Sequence, residues 1–344
     1  MIHASQWKLR ERVRTLRREI AEWDAAAQDW RPVSYFQFVA FDRDGRVVQL
    51  DQRGAEGSVF RTTYIYDSDG RLRETQAGAA GANTVSRVVY TYDETGRPLA
   101  VTQIGESGIE RLTHRTTYDE RGRRTTVRDL PPAAADVPVM FSIDGSEVGY
   151  GAPGAKTMTT RYDEQGLSRE VLIQDAGGAI IRRITLTRDR EGRVVTEEAQ
   201  NVAPFPLPDA PGPVPAEEGE QLQALVMRVF GAIRTTYDYD AGGRLVFRTQ
   251  QMGLLSEERI AYAYDERGNP IEELHESINR EIHLDRDGGP TSSGDTTRMH
   301  EVRFSYEYDA RGNWTRRVVE SRVDRGAEFV RSNAELRTIE YYES

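Results

Sequence analysis

Short runs of alternating apolar and polar residues recur along most of the chain, and each run ends at an Asp-x-x-Gly tetrad. Tyr64 and Tyr66 illustrate the pattern. Residues two apart share one face of a strand, so the alternation predicts a β-strand that ends at Asp67. The aspartate carboxylate can accept the N–H two residues on, and the glycine supplies the positive φ of a three-residue hairpin loop with a bulge. Each repeat is therefore predicted to be one β-hairpin.

Ten copies of this turn predict a repeat architecture, because their spacing is mostly close to 25 residues. The five clearest copies place their aspartate and glycine at Asp67 and Gly70, Asp93 and Gly96, Asp240 and Gly243, Asp265 and Gly268, and Asp309 and Gly312. Weaker copies surround Asp42, Asp119, Asp163, Asp189 and Asp285. The predicted fold is all-β, a long antiparallel meander of roughly 18 to 20 strands.

The skeleton Tyr-x-Tyr-Asp-x-x-Gly-Arg-Leu, at Tyr64–Leu72 and Tyr237–Leu245, resembles the YD-repeat family, also called Rhs repeats. The resemblance covers the chain from about Tyr35 onward. It implies a spiralling β-sheet, which closes into a hollow shell around an enclosed polypeptide in the large toxin-associated bacterial members. This sequence has fewer repeats than those shells use, and it contains no Asp-Pro autoproteolytic junction or toxin domain. We therefore expect a short member of that type, with a curved open sheet or partial barrel.

Residues 1–33 carry a different pattern, and we expect them to form a separate element before a repeat domain at 34–344. Their apolar residues follow alternating steps of four and three: Leu9, Val13, Leu16, Ile20, Trp23, Ala27 and Trp30. That spacing predicts one amphipathic helix. The helix has three alternative roles: a cap on the exposed sheet edge, a partner helix that uses Leu16 and Trp23, or a membrane-surface helix.

Two inserts interrupt the repeat period, at 130–155 and 201–230. The second begins with a proline-rich run that contains Phe205 and Leu207, a composition that favours extended backbone. It continues into an apolar segment with Leu225 and Phe230. Long loops on a rigid sheet often carry binding residues. These four residues are therefore predicted to contact a protein partner.

Composition narrows the function further. The net charge of −10 argues against a general nucleic-acid binder, because phosphate contacts need a positive surface. Most basic residues are arginines dispersed among Glu and Asp, which predicts cross-strand ion pairs on a solvated face. There is no cysteine, hence no disulfide or thiolate chemistry. The charged N-terminal sequence predicts neither a signal peptide nor a transmembrane segment, so we expect a cytoplasmic protein unless a dedicated secretion machine exports it.

One group of residues has metal-like composition: His275, Glu276, Glu281 and His283. A hairpin turn at Asn279 would place the two histidines opposite one another, but a third fixed ligand is missing, and no metal site is predicted. The Asp-x-Asp-Gly copies resemble calcium loops, yet they lack the acidic ligand at the twelfth position. No nucleotide-binding or hydrolase motif occurs. The sequence therefore predicts no enzyme activity and no cofactor.

The leading hypothesis is a non-enzymatic scaffold that binds another protein and acts as the partner or neutraliser of a toxin-like polypeptide. The alternative is a carbohydrate-binding surface or secreted protein, because the repeated tyrosines offer aromatic faces. Their recurrence at one strand position favours instead a cross-strand tyrosine ladder that builds the sheet. Trp314 replaces a smaller residue of other copies and is predicted to lie in the core.

Overall fold

A computed structural model describes residues 4–53, 57–82, 85–130, 154–202, 231–284 and 290–343 of the chain. Within those ranges the backbone forms twenty β-strands and one short 3₁₀ helix, Ala4–Trp7. The strands hold more than half of the 344 residues. The predicted all-β fold is confirmed.

The first ten strands are β1 Val13–Asp24, β2 Asp29–Phe41, β3 Val47–Arg53, β4 Val59–Tyr66, β5 Leu72–Ala79, β6 Ser86–Tyr92, β7 Pro98–Ile104, β8 Glu110–Tyr118, β9 Arg124–Asp129 and β10 Thr157–Tyr162. The remaining ten are β11 Ser168–Gln174, β12 Ile180–Arg188, β13 Val194–Asn201, β14 Ala232–Tyr239, β15 Leu245–Met252, β16 Ser256–Tyr264, β17 Pro270–Leu284, β18 Pro290–Tyr308, β19 Trp314–Arg322 and β20 Val330–Tyr341.

Most strands pair antiparallel with the strand that follows them along the chain, as β4 does with β5 and β15 with β16. In the β4–β5 hairpin, Tyr64 lies opposite Thr75. A register irregularity falls between Ile65 and Tyr66, immediately before the turn. The β6–β7 and β16–β17 hairpins have the same irregularity at the same place. The predicted antiparallel meander of bulged hairpins is confirmed.

The segment predicted as an N-terminal helix forms the β1–β2 hairpin instead, and that prediction is wrong. Residues four apart share a face in a strand as well as in a helix, so Leu16 and Ile20 fit both patterns. The step of three from Val13 to Leu16 does not fit a regular strand. A register irregularity between Val13 and Thr15 absorbs the extra residue, and Val13 and Leu16 enter the same core.

β1 is hydrogen-bonded along both of its long sides. Leu16 lies opposite Val39 of β2 and also opposite Ile339 of β20. β1 therefore has no unpaired side, and the expectation of an open curved sheet is wrong. An unpaired strand edge offers N–H and C=O groups to other chains. The N-terminal segment removes such an edge by strand pairing, not as a helical cap.

The chain divides into two compact units. Unit 1 comprises Met1–Thr113, Val302–Arg322 and Gly326–Ser344, and unit 2 comprises His114–Glu301 and Val323–Arg325. The described part of the segment 1–33 lies in unit 1.

The largest described core cluster lies in unit 1 and is built on β1, β2 and β3. Its buried members are Ala4, Val13, Leu16, Val39, Phe41 and Val47. Trp7 of the 3₁₀ helix packs edge-on against Phe41, with ring centroids 5.6 Å apart. Unit 2 has two smaller clusters, one of which contains Val171, Ile184, Ala199 and Ile233.

Candidate functional site

The Asp93–Gly96 turn shows how each repeat satisfies its own polar groups. Oδ1 of Asp93 accepts the backbone N–H groups of Thr95 and Arg97, each at 2.9 Å. Oδ2 accepts Nε of Arg97 at 2.6 Å. Gly96 has a φ of 83°, which favours glycine at this position. These hydrogen bonds favour the ionised carboxylate and lower the pKa of Asp93, and the one from the backbone N–H of Arg97 has the largest effect.

The other four clear turns have the same geometry, and the copy at Asp285 lies outside the described residues. The backbone N–H groups two and four residues on donate to the carboxylates of Asp67, Asp240, Asp265 and Asp309. A positive φ occurs at Gly70, Gly243, Gly268 and Gly312. Each of these aspartates therefore has hydrogen-bond partners within its own turn.

A second set of contacts links each turn to the next repeat. Arg71 follows Gly70 and places its Cζ 5.4 Å from the ring centroid of Tyr92 in the next hairpin. The Tyr92 hydroxyl donates to the carbonyl of Leu72 at 2.7 Å. We name this combination the arginine–tyrosine latch. It recurs at Arg46 and Tyr66, Arg193 and Tyr239, and Arg244 and Tyr264. In these latches, guanidinium and hydroxyl contacts link the repeats, in place of the ring stacking implied by a tyrosine ladder.

The opposite ends of the unit 1 strands, which we name the loop edge, expose more apolar surface. Phe60 is 50% exposed, Ile109 is 72% exposed and Val330 is 62% exposed. All three lie beside the connections between repeats, away from the Asp-x-x-Gly turns. Single exposed apolar residues are common on protein surfaces, so only those with apolar or aromatic neighbours indicate a binding surface.

Val330 has the most informative neighbours. Trp23 and Trp30 face each other across the β1–β2 hairpin, with ring centroids 5.0 Å apart. Arg331, next to Val330, places its Cζ 4.9 Å from the centroid of Trp23. Arg316 lies over Trp30 at 5.6 Å. Two tryptophans at the loop edge are thus each covered by an arginine.

Phe329, on the other side of Val330, lies between two arginines. Cζ of Arg303 is 4.0 Å and Cζ of Arg322 is 4.5 Å from its ring centroid. Aromatic and arginine side chains are enriched in protein interfaces. We define the aromatic–arginine patch of unit 1 as Trp23, Trp30, Phe329, Val330 and Arg331.

A cluster of buried charges lies next to the hydrophobic core of unit 1. Glu335 of β20 is 6% exposed in its side chain and accepts hydrogen bonds from three arginines. Arg18 donates Nε at 2.5 Å, Arg317 donates Nη2 at 3.0 Å and Arg337 donates Nε at 3.5 Å. Arg18 also donates Nη1 to Oε1 of Gln37 at 2.8 Å. Strand register places Arg18, Gln37 and Arg337 on the face that carries Leu16.

The electrostatics of this cluster are unbalanced. Burial acts to raise the pKa of Glu335, but the hydrogen bond from Arg18 and the charges of the three arginines outweigh it and lower the pKa. Arg337 has a side chain only 7% exposed, and its Cζ lies 3.3 Å from the ring centroid of Trp314. Burial, together with the charges of Arg18 and Arg317, lowers the pKa of Arg337 to about 9. Positive charge therefore exceeds negative charge within the cluster around Glu335.

Unit 2 has a smaller polar group. The Tyr237 hydroxyl donates to Oε2 of Glu197 at 3.3 Å. Burial raises the pKa of Glu197 and also that of Tyr237. The charges of Arg182 and Arg248 act in the opposite direction on Glu197.

The structure places the predicted partner-contacting residues in different settings. Leu16 is fully buried in the core of the protein itself and offers no surface to a partner. Trp23 is half-buried and belongs to the aromatic–arginine patch. Phe205, Leu207, Leu225 and Phe230, and most of the two inserts, lie outside the described residues. Trp314 is 7% exposed, which confirms its prediction as a core residue.

The two histidines of the metal-like group lie far apart. β17 runs unbroken through His275 and His283, so the turn predicted at Asn279 is wrong. Eight residues of extended strand separate two side chains by roughly 26 Å. Among the residues that the structure describes, no group of three or more His, Asp or Glu side chains could hold a metal ion. No helix in the described ranges is long and apolar enough to cross a membrane.

Sequence reasoning missed the cluster around Glu335, because it assigned the arginines to a solvated sheet exterior. Cross-strand ion pairs do occur: Arg61 contacts Asp51 at 2.7 Å and Arg87 contacts Glu74 at 2.7 Å. In both pairs the arginine is exposed and the carboxylate is buried. The spacing of Glu335 and Arg337, two apart, indicates a shared face. Nothing in that spacing indicates which face is buried.

No protein-family model matches the chain, and no curated protein matches it. Solved structures that are similar to the chain include the following three, all at low identity. A porin-like protein from Bacteroides uniformis is 9% identical, with a TM-score of 0.32, over 95% of this chain and 96% of that one. The complex TcdB2-TccC3-TEV is 12% identical, with a TM-score of 0.19, over 92% of this chain and 22% of that one. A putative outer membrane lipoprotein-sorting protein domain from Vibrio parahaemolyticus is 11% identical, with a TM-score of 0.17, over 58% of this chain and 83% of that one. At these values the function has to be argued from the residues of this chain.

Proposed function

We propose that this chain is a non-enzymatic scaffold of the YD-repeat type that binds another protein through the aromatic–arginine patch of unit 1. Partner or neutraliser of a toxin-like polypeptide is the finer role that the repeat resemblance suggests. The observation that carries the proposal is the composition of the patch. Two tryptophans, a phenylalanine and an exposed valine lie beside stacked arginines at one edge of the unit.

Such a composition suits protein recognition for a physical reason. Tryptophan and arginine side chains bury large areas while keeping polar groups available, and they dominate the residues whose truncation weakens protein complexes most. Val330, the first residue of β20, is 62% exposed and faces the other side of the strand from Arg331. A partner that covers the end of this strand would bury it and gain apolar contact area. The arginines already stacked on Trp23 and Phe329 lose less side-chain freedom on binding than free ones would.

The frame around the patch supports the same role. Trp23 and Trp30 lie on β1 and β2, which pair along their length, and Arg331 lies on β20, which pairs with β1. The patch is thus held by three hydrogen-bonded strands. A binding surface on regular elements keeps its geometry better than one on loops.

The proposal is tested by affinity capture with the tagged full-length chain as bait in an extract of its own host. One bait is the wild type, and the second carries Val330→Asp and Arg331→Glu. Both substituted side chains are exposed, so the fold should persist. We expect one protein to be captured stoichiometrically by the wild type and lost, by at least about tenfold in affinity, from the variant.

Leu99→Asp is the matched control, because Leu99 is 38% exposed and lies in unit 1 beside an Asp-x-x-Gly turn, away from the patch. It should capture the same protein as the wild type. Equal capture by the patch variant would refute this site of binding. If the bait captures no protein but binds to host material and is released from it by added free glycans, the carbohydrate-binding alternative would be favoured instead.

A further inference from the structure

The cluster around Glu335 has more hydrogen-bond donors than its acceptors can use. Three guanidinium groups offer five N–H donors each, whereas one carboxylate has about four acceptor positions. The other described acceptors are the side-chain oxygen of Gln37, at 2.8 Å from Arg18, and the carbonyl of Trp7, at 3.3 Å from Arg337. Nε of Arg317 is buried and has no hydrogen-bond partner among the described residues.

Charge is equally uncompensated. The groups that act most strongly on Arg337 are Glu335, Arg18 and Arg317, which together with Arg337 amount to three positive charges and one negative charge. Buried charges are costly unless they are paired, and a cluster with surplus cations is stabilised by any anion that can reach it. The chain as a whole is acidic, so this surplus is local and not a consequence of overall composition.

The cluster can be reached from solvent on one side. The side chains of Arg18 and Arg317 are 25% and 31% exposed, whereas those of Glu335 and Arg337 are 6% and 7% exposed. A ligand would therefore meet the two outer arginines first. The planar fork of a guanidinium matches the two oxygens of a carboxylate or phosphate, and two forks near one another can hold one such group.

We propose that Arg18, Arg317 and Arg337 form a binding site for an oxyanion, the carboxylate or phosphate group of a ligand that enters beside Arg18 and Arg317. Glu335 orients the three guanidinium groups and supplies the one internal negative charge. The bound ligand supplies a second negative charge. This site is separate from the aromatic–arginine patch and does not depend on the proposed protein partner.

Titration calorimetry of the full chain tests the site with two probes, inorganic phosphate and a hexaglutamate peptide, at constant ionic strength adjusted with chloride. We expect saturable binding of at least one probe, weakened about tenfold or more by Arg317→Gln. Binding of phosphate alone identifies a small free oxyanion as the ligand class. Binding of the peptide alone identifies a carboxylate carried on a polypeptide. Absence of binding by both probes overturns the proposal.

Arg316→Gln is the matched control. Arg316 precedes Arg317 on β19, so it faces the other side of the sheet, and it contacts Glu307 at 2.9 Å. Both substitutions remove one positive charge, so a nonspecific effect of net charge would weaken both variants equally and would overturn the proposal. If Arg317→Gln does not fold, the site is tested on the wild-type protein alone, by chemical labelling of its arginines. Bound probe should then protect Arg18 and Arg317, but not Arg316, from a dicarbonyl reagent, and equal labelling with and without probe contradicts the site.

Discussion

Replacing Gly96 by alanine tests whether the arginine–tyrosine latch stabilises the sheet. A residue with a Cβ in the left-handed region costs about 1–2 kcal/mol, and Gly96 has a φ of 83°. The alanine Cβ would also lie 2.8 Å from Nη1 of Arg71. The guanidinium must then move away from Tyr92, and such a contact at an exposed site is worth about 0.5–1 kcal/mol. We expect Gly96→Ala to lower the free energy of unfolding by about 1.5–3 kcal/mol in total.

Gly122→Ala separates the two contributions. Gly122 occupies the same place in its Asp-x-x-Gly turn and has a φ of 75°. No heavy atom of the described residues lies within 4 Å of the position that its Cβ would take. This variant should therefore lose only the backbone contribution, and Gly96→Ala should exceed it by about 0.5–1 kcal/mol.

Urea unfolding followed by tryptophan fluorescence measures both losses, provided that the slope of free energy against urea is unchanged between variants. In an Arg71→Gln background the arginine is already absent, so the two alanine substitutions should cost the same. Equal losses in the wild-type background would refute the stabilising latch. A negligible loss from Gly122→Ala would refute the requirement for positive φ.

Two further outcomes are expected. Hydrogen bonds from Arg87 lower the pKa of Glu74 from 4.5 to about 2. The stabilisation by its ionised carboxylate is therefore complete above pH 4.5 and is lost as the pH falls towards 2, so the thermal midpoints of the wild type and Glu74→Gln should converge in that window, and a constant gap would contradict the ion pair. Deletion of residues 1–28 leaves β2 and β20 with unpaired edges and should cause aggregation in size-exclusion chromatography, whereas a monomer with an unchanged thermal midpoint would show that β1 is dispensable.

The repeats were predictable because their determinants are local. An aspartate and a glycine three residues apart fix the turn by hydrogen bonds within five residues, as at Asp93. Alternation then fixes the strands on both sides. The role of the arginine after the glycine was not predictable, because Arg71 contacts Tyr92 only after two hairpins have paired.

The N-terminal error has a different cause. The pattern of Val13, Leu16 and Ile20 suits either a helix or a strand with an irregularity, and its own sequence cannot decide between them. The strand that decides is β20, whose Ile339 lies opposite Leu16 from the far end of the chain. The cluster of Arg18 with Glu335 could not be predicted for the same reason. Its charges are buried only when strands that lie far apart in the sequence have paired.

The pairing of β1 with β20 also determines the order in which the protein can be completed during synthesis. Unit 2 is almost continuous in sequence, whereas unit 1 joins residues from both ends of the chain. β1 leaves the ribosome early but keeps one side unpaired until residues 330–341 have been made. Contacts between such distant residues form slowly, because a long loop must close first. The arrival of β20 therefore completes the pairing of β1, and until then the nascent chain carries an open strand that a chaperone, or another nascent copy, can reach.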